Sequence, residues 1–246
     1  MAGYFSGIIL DCQAKRDGEL LLRAALSLSA LTQQGVILQN IRDLERKPGL
    51  KTEDLILIEG LAKLCRAKVV GNKVGAQELH FIPQSYLKAS DFSLSLPGSV
   101  VKMLQFLLPV LARSASYSKV TLQGEVYSNH LYAYDHFEHL LLTLYRKFGL
   151  YAYPKLLRFG FGRMAKGEVE VEVEPSKFQS LEWSERGPLR AVRSILKVAN
   201  VNEGDVTEYR ETLCNLFESA RLQSDSKVMK VSSSNTGLCL QNLKMV

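Results

Sequence analysis

The sequence predicts an α/β (α+β) protein built from repeated β-α-β-α-β-β units, with the helices packed on one face of each sheet. Apolar residues recur at helical spacing in several segments and form short or alternating runs in others. The same order of elements occurs twice. The first helices begin near Gly18 and Gly98 and the second near Thr52 and Ala133, which gives offsets of 80 and 81 residues. A constant offset is typical of a duplicated unit, and coincidence between two α/β segments is the alternative.

The predicted first unit occupies about residues 1–85. Gly18–Leu31 carries its apolar residues on one side of a helix. Thr52–Cys65 forms the second helix, because Thr52 suits the N-cap position and the carboxylates of Glu53 and Asp54 suit the positive helix end. The predicted strands of this unit are Tyr4–Leu10, Val36–Ile41, Lys68–Gly71 and Glu78–Pro83.

The predicted second unit occupies about residues 86–180, so that the two units span 1–180. Its helices are Gly98–Ala112 and Tyr134–Phe148. Glu168–Glu174 alternates valine with glutamate, which predicts a strand with one buried and one solvated face rather than a metal site. The other predicted strands are Ser90–Leu96, Lys119–Gln123 and Leu156–Gly160. The apolar side of the second helix consists of Phe137, Leu140, Leu141 and Leu144.

The pattern changes from residue 181 onward, and residues 181–246 predict a small α/β segment. Asp205–Leu222 has the spacing of an amphipathic helix. Its apolar stripe consists of Val206, Tyr209, Leu213, Leu216 and Phe217. The predicted strands of this segment are Arg190–Val198, Lys227–Val231 and Gly237–Leu240.

The composition excludes several classes of protein. A hydrophobic content of 46% favours a packed core over disorder. No apolar run approaches 18 residues, so no membrane partner is expected. The cysteines lie far apart in the sequence and form no CxxC pair, which predicts reduced thiols and no metal site. Reduced thiols are typical of a cytoplasmic protein, or of a nuclear or nucleolar one in a eukaryote, and this location is expected here. A net charge of +6 permits a polyanion as partner.

The most informative stretch is the basic loop over residues 42–50, between a predicted strand and a predicted helix. Arg42, Arg46 and Lys47 precede a turn made by Pro48 and Gly49. Cations beside a helix N-terminus are suited to binding a phosphate. An ordinary solvated connection is the alternative.

Ordered motifs over roughly residues 5–240 resemble the RNA 3′-terminal phosphate cyclase family. The match at the basic loop is Asn40-Ile-Arg followed by Lys47-Pro-Gly-Leu50 and a helix. The other matching segments are Arg23–Thr32, Gly75-Ala-Gln-Glu-Leu79, Pro97-Gly-Ser-Val and Leu104–Pro109. The resemblance implies that residues 181–246 form part of a third repeat with a small inserted β-α-β domain, and that the chain ends within that insert.

The resemblance also implies a reaction: ATP-dependent conversion of an RNA 3′-phosphate into a 2′,3′-cyclic phosphate through an adenylylated histidine, assisted by a divalent metal. The family's histidine lies in the third repeat, whereas the last histidine here is His139, so no catalytic residue is assigned. ATP and metal are expected only if activity is retained. The RNA- and phosphate-binding candidates are Arg23, Arg42, Arg46 and Lys47.

Other family positions diverge in this sequence. The glycine-rich first loop of the family corresponds to Gln13–Glu19, which has one glycine. Where the family usually has Gln-His, this sequence has Glu53-Asp54, and two carboxylates should repel a phosphate.

Two further groups lie in the second unit. Tyr132 and Tyr134, near Tyr127 and His130, are candidates for stacking on a nucleobase, with packing on the core as the alternative. His136 and His139 have a spacing compatible with a metal site, with Asp135 and Glu138 beside them. Solvated helix histidines are the favoured interpretation.

The leading hypothesis is a degenerate cyclase-like protein, a pseudoenzyme that binds RNA or RNA 3′-ends in RNA processing. The first alternative is an active cyclase completed by a substitute nucleophile or a partner chain. The second is a structural module that forms a homo-oligomer or binds another protein through exposed sheet edges.

Overall fold

The computed structural model describes residues 7–13, 18–127, 133–161, 166–184, 191–220, 224–231 and 237–245. These residues form three sheets with helices packed on them. The mixed α/β fold predicted from the sequence is confirmed. None of the helices in these ranges is long and apolar enough to cross a membrane.

The first unit forms a four-stranded sheet in the order β1-β2-β4-β3. Strand β1 is parallel to β2, and β4 is antiparallel to both of its neighbours. Helix α2 begins at Thr52 with Lys51 in the cap position, one residue earlier than the predicted cap. The elements are β1 (Ile8–Asp11), α1 (Gly18–Thr32), β2 (Val36–Gln39), α2 (Thr52–Cys65), β3 (Lys68–Val70) and β4 (Leu79–Ile82).

The second unit forms a sheet in the order β5-β6-β8-β7, with the same pattern of parallel and antiparallel pairs. Strand β7 begins at Ala152 rather than at the predicted Leu156. The sheet elements and the first helix are β5 (Phe92–Ser99), α3 (Val100–Ala112), β6 (Ser118–Glu125), β7 (Ala152–Arg158) and β8 (Gly167–Val173). The two sheets therefore share one strand order, while their origin by duplication stays a prediction.

The second helical segment of this unit is not a continuous α-helix. It consists of α4 (Tyr134–His136), a π-helical turn over Phe137–Leu141 and α5 (Leu142–Lys147). A π-helical turn inserts one residue more than an α-turn and rotates the residues after it about the helix axis. Phe137 is fully buried, but Leu140, predicted on the same side, is exposed for this reason.

One hydrophobic core joins both sheets and the helices α1, α2 and α3. On β8, Val169, Val171 and Val173 are completely buried. The intervening glutamates face outward, where Glu170 pairs with Lys119 of β6 at 2.9 Å. The predicted division of this strand into a buried and a solvated face is therefore confirmed.

The third sheet, with the order β10-β9-β11, is smaller. Its elements are β9 (Ala191–Ala199), α6 (Glu203–Ser219), β10 (Ser224–Lys230) and β11 (Gly237–Met245). Val206 of α6 packs with Leu196 and Val198 of β9. Within the predicted apolar stripe, Tyr209 and Leu216 are exposed, whereas Leu213 and Phe217 are half-buried.

Candidate phosphate-binding site

The loop over residues 42–50, called here the Pro-Gly loop, has a fixed shape between β2 and α2. The backbone N–H of Gly49 donates to the carbonyl of Ile41 at 2.8 Å, and that of Leu50 donates to the carbonyl of Ala76 at 2.9 Å. Gly49 has a φ of 83°, and a Cβ at this position would lie 2.3 Å from the carbonyl carbon of Gly75. Only glycine fits this left-handed, closely packed position.

Arg42 is buried beneath the Pro-Gly loop. Its guanidinium donates to Asp54 Oδ2 at 2.7 Å, to Asp54 Oδ1 at 3.3 Å and to the carbonyl of Gly49 at 3.1 Å. Burial alone would lower the pKa of Arg42, but the hydrogen bonds and charge of Asp54 raise it overall. The planar guanidinium thus fastens the loop to the first turn of α2.

The carboxylate of Asp54 contacts both the start of α2 and the guanidinium groups of Arg23 and Arg42. Its carboxylate is completely buried and also accepts the backbone N–H of Lys51 at 2.8 Å, which satisfies a free donor at the start of α2. Arg23 Nε of α1 lies 3.5 Å from Asp54 Oδ1. One carboxylate therefore compensates two buried guanidinium groups.

Arg23 has two further carboxylate partners. Its Nη2 lies 2.9 Å from Glu19 Oε1 and 3.1 Å from Glu53 Oε2. Lys102, in the first turn of α3, also pairs with Glu19. A Cβ at Gly98 would lie 2.1 Å from Glu53 Oε1, so the glycine makes room for this carboxylate. The charged network is defined as Arg23, Arg42, Lys102, Glu19, Glu53 and Asp54.

The charged network is balanced, with three cations and three carboxylates. Burial alone would raise the pKa of the Glu19 carboxyl, but the hydrogen bond from Lys102 and the charges of Arg23 and Arg42 lower it overall. Glu19 is therefore held in its charged form. No positive charge is left over for a phosphate among these six side chains.

Arg46 and Lys47 are placed differently, at the tip of the Pro-Gly loop. Both side chains are exposed, and neither forms an ion pair within the described ranges. Their neighbour Lys51, by contrast, pairs with Glu45 at 2.8 Å. The structure thus separates the four candidates into two buried, compensated arginines and two exposed, uncompensated cations.

The sequence indicated the candidate cations but not their carboxylate partners. It shows Glu53 and Asp54 near a helix end, whereas their contacts with Arg23 and Arg42 depend on the fold. A buried arginine needs a carboxylate partner, and the adjacent acidic pair was the available signal. Lys102 carries no local signal, because only the packing of α3 against α1 brings it to Glu19.

Of the two tyrosines that are candidates for stacking on a nucleobase, the structure describes only Tyr134. Tyr134 is buried, and its hydroxyl donates to Glu138 Oε1 at 3.3 Å. Burial and the nearby carboxylates raise its pKa. The ring therefore belongs to the core in this structure. Tyr132 and His130 lie outside the described residues.

Asp135, Glu138 and His139 place one potential metal ligand atom each within 4.8 Å of one another. Asp135 Oδ1 already accepts a hydrogen bond from Lys197 Nζ at 2.5 Å, and the same ammonium donates to the Tyr127 hydroxyl at 3.0 Å. A metal ion would have to displace this buried ammonium. The contact joins β9 to the second unit.

Comparison with known proteins gives a consistent family assignment. A family model described as RNA 3′-terminal phosphate cyclase matches residues 14–241. A protein named RNA 3′-terminal phosphate cyclase from Methylococcus capsulatus is 34% identical over 202 residues, covering 78% of this chain and 56% of the relative. A protein of the same name from Pseudomonas fluorescens is 34% identical over 188 residues, covering 76% of this chain and 55% of the relative.

The chain spans about half the length of the curated relatives it matches. Among solved structures, the enolpyruvyl transferase NikO from Streptomyces tendae matches 92% of this chain and 45% of its own, at a TM-score of 0.35 and 10% identity. That similarity is too low to support an argument.

Proposed function

This chain belongs to the RNA 3′-terminal phosphate cyclase family, and from that premise we propose that it binds RNA 3′-ends in RNA processing without cyclising the terminal phosphate. The terminal phosphate binds to Arg46 and Lys47 at the tip of the Pro-Gly loop. No residue of the chain is assigned a catalytic role.

The observation that carries the proposal is the balance of the charged network. To reach Arg23 or Arg42, a phosphate would have to displace Glu53 or Asp54. For the fully buried pair of Arg42 and Asp54, leaving the carboxylate buried without its partner costs about 3–5 kcal/mol. A new charge-assisted hydrogen bond returns about 1.5–3 kcal/mol, so the exchange is unfavourable.

Arg46 and Lys47 have no such competitor. Both are exposed in the loop that leads into α2. The loop that carries them is already ordered by Gly49 and Arg42, which reduces the entropy lost on binding. Contacts of this exposed kind weaken as the salt concentration rises.

A divalent metal ion, which the family resemblance implies, does not fit the charged network. Each of its three carboxylates already lies within 3.1 Å of a guanidinium nitrogen. ATP and a metal ion would enter only if catalysis were retained, and the proposal assigns no step to either.

The test compares two labelled RNA trinucleotides, one ending in a 3′-phosphate and one in a 3′-hydroxyl, by fluorescence anisotropy between about 50 and 200 mM salt. The phosphorylated RNA should bind more tightly, and the double variant Arg46→Ala/Lys47→Ala should abolish that preference. Lys63→Ala, which removes an exposed cation from the opposite end of α2, is the matched control. Equal binding of both RNAs by the unmodified chain would refute the proposal.

A further inference from the structure

Exposed aromatic rings gather where β7 begins and β8 ends. Trp183 is 61% exposed and Tyr117 is 65% exposed, and Tyr151, Tyr153 and Phe178 also have large exposed fractions. Large exposed rings in one place are unusual for a protein surface and indicate an interaction site.

The segments that carry these rings are fastened to one another. The N–H of Tyr151 donates to Ser176 Oγ at 3.2 Å, and Arg113 Nη1 donates to the carbonyl of Ser176 at 3.1 Å. The N–H of Gln179 donates to the carbonyl of Phe148 at 3.0 Å. The rings are therefore presented by a connected surface rather than by independent loops.

Cations lie directly on two of the rings. Lys147 Nζ is 4.4 Å from the centroid of Trp183, and Arg113 Cζ is 5.8 Å from that of Phe178. Neither cation forms an ion pair with a carboxylate in the part of the chain that the structure describes. The segments 113–117, 146–153 and 172–183 carry four cations and three carboxylates, so the region has a small net positive charge.

Helix α3 fixes this region relative to the charged network. Lys102, in the first turn of α3, pairs with Glu19 of the network, while Arg113 follows the last helical residue. At 1.5 Å per residue, the two positions are about 16 Å apart. Arg42 of the network also supports the loop that carries Arg46 and Lys47, so an RNA must be several nucleotides long to reach from that loop to this surface.

We propose that this aromatic–basic surface, formed by Arg113, Lys147, Tyr151, Tyr153, Phe178 and Trp183, binds single-stranded RNA upstream of the 3′-end. Bases stack on the rings, and phosphates contact Arg113 and Lys147. The inference rests on the proposed function, because RNA is the ligand there. Every base has a π-face, so such a surface binds without sequence preference.

Two properties favour RNA over a protein as the occupant. A protein partner would have to bury Arg113 and Lys147, which form no ion pair with a carboxylate among the described residues, and such burial is costly unless the partner supplies carboxylates. An RNA strand brings one phosphate per nucleotide and a flat base for each ring. A duplex fits poorly, because its bases are already stacked on one another.

Trp183 is the only tryptophan in the sequence and serves as a built-in reporter. An oligoadenosine of about ten nucleotides should quench its fluorescence to saturation, with the same Kd that anisotropy gives. Trp183→Ala should weaken binding of this RNA by about fivefold or more, whereas Trp183→Phe retains a ring and most of the affinity. Tyr86→Ala, which removes an exposed ring from the connection between β4 and β5, should leave the affinity unchanged.

The trinucleotide with a 3′-phosphate separates the two proposals. Trp183→Ala should not alter its binding, because that RNA is too short to reach the surface. If the protein still binds the 3′-phosphate trinucleotide more tightly than the 3′-hydroxyl trinucleotide, but Trp183→Ala binds the longer RNA normally, only the present inference is overturned. If neither RNA binds, both proposals fail. A dimer that Trp183→Ala dissociates, with unchanged RNA binding, would show that the surface joins two copies instead.

Discussion

Replacing Asp54 with alanine should destabilise the protein by about 3–5 kcal/mol, because it removes the only fully buried carboxylate that pairs with Arg42 among the described residues and leaves the exposed Glu45 at 3.7 Å. The side chains of Asp54 and Arg42 are almost completely inaccessible to solvent, and their closest atoms are 2.7 Å apart. Asp54 also accepts a hydrogen bond from the N–H of Lys51, and loss of such a cap alone costs about 1 kcal/mol. These effects share one carboxylate and do not simply add.

The expected loss is large compared with a typical folding free energy of about 5–15 kcal/mol, so the variant should fold but melt early. For a chain of this size, it corresponds to a fall in Tm of about 6–20 °C. Urea denaturation followed by circular dichroism measures the change. Glu59→Ala, on the exposed side of the same helix, is the matched control and should change the stability by less than about 0.5 kcal/mol.

A double-mutant cycle distinguishes a buried pair from two independent side chains. Arg42→Met combined with Asp54→Leu replaces the pair with apolar groups and should be less destabilising than the two single changes added together. A loss below about 1 kcal/mol for Asp54→Ala, or strict additivity in the cycle, would refute the assignment of Arg42 as a buried support of the loop.

Three further results are expected. Glu53→Gln removes a carboxylate from the charged network and should strengthen binding of the 3′-phosphate trinucleotide by roughly threefold, and weaker binding in the same titration would contradict this. Because the folded-state pKa of Glu19 lies below its ordinary value of 4.5, the stability it provides is complete above that pH and is lost as the pH falls through the folded pKa. Glu19→Gln should therefore reduce the acid sensitivity of Tm. Burial raises the pKa of Cys65 to about 11, so iodoacetamide at about pH 8 should leave this thiol unmodified in the folded chain, as mass spectrometry of the peptide can check. Modification of Cys65 as fast as that of the half-buried Cys214 would contradict this expectation.

Local patterns were sufficient to predict most of the helices and strands. The period-two alternation of valine and glutamate gave the two faces of β8, because the side chains of a strand alternate strictly. The helical spacing of apolar residues gave α1 and α2, which bury one side each, and the strongly apolar run of α3 gave a helix without an exposed residue. The residues whose burial differs from the prediction are those whose exposure depends on how neighbouring elements pack against them. Tyr209 and Leu216 form part of a clear stripe, yet both are exposed, because the stripe shows which side of the helix is apolar and not which of its residues are covered.

The candidate site was predicted less completely, for a physical reason. A run of cations followed by Pro-Gly looks like a uniformly solvated basic loop. The structure divides it, because Arg42 turns inward to Asp54 while Arg46 and Lys47 stay in solvent. Which arginine is buried depends on a carboxylate on the next helix. The pairing of Arg23 with Glu19 at 2.9 Å, by contrast, follows a helical spacing that is visible in the sequence.

Phosphorus NMR of the 3′-phosphate trinucleotide tests the central claim most directly, because one spectrum reports both binding and cyclisation. Adding the chain should shift and broaden the terminal phosphate resonance, and the Arg46→Ala/Lys47→Ala variant should not. After ATP and Mg²⁺ are added, no resonance of a 2′,3′-cyclic phosphate should grow. An unchanged phosphate resonance with the unmodified chain, or the appearance of the cyclic product, would contradict the account.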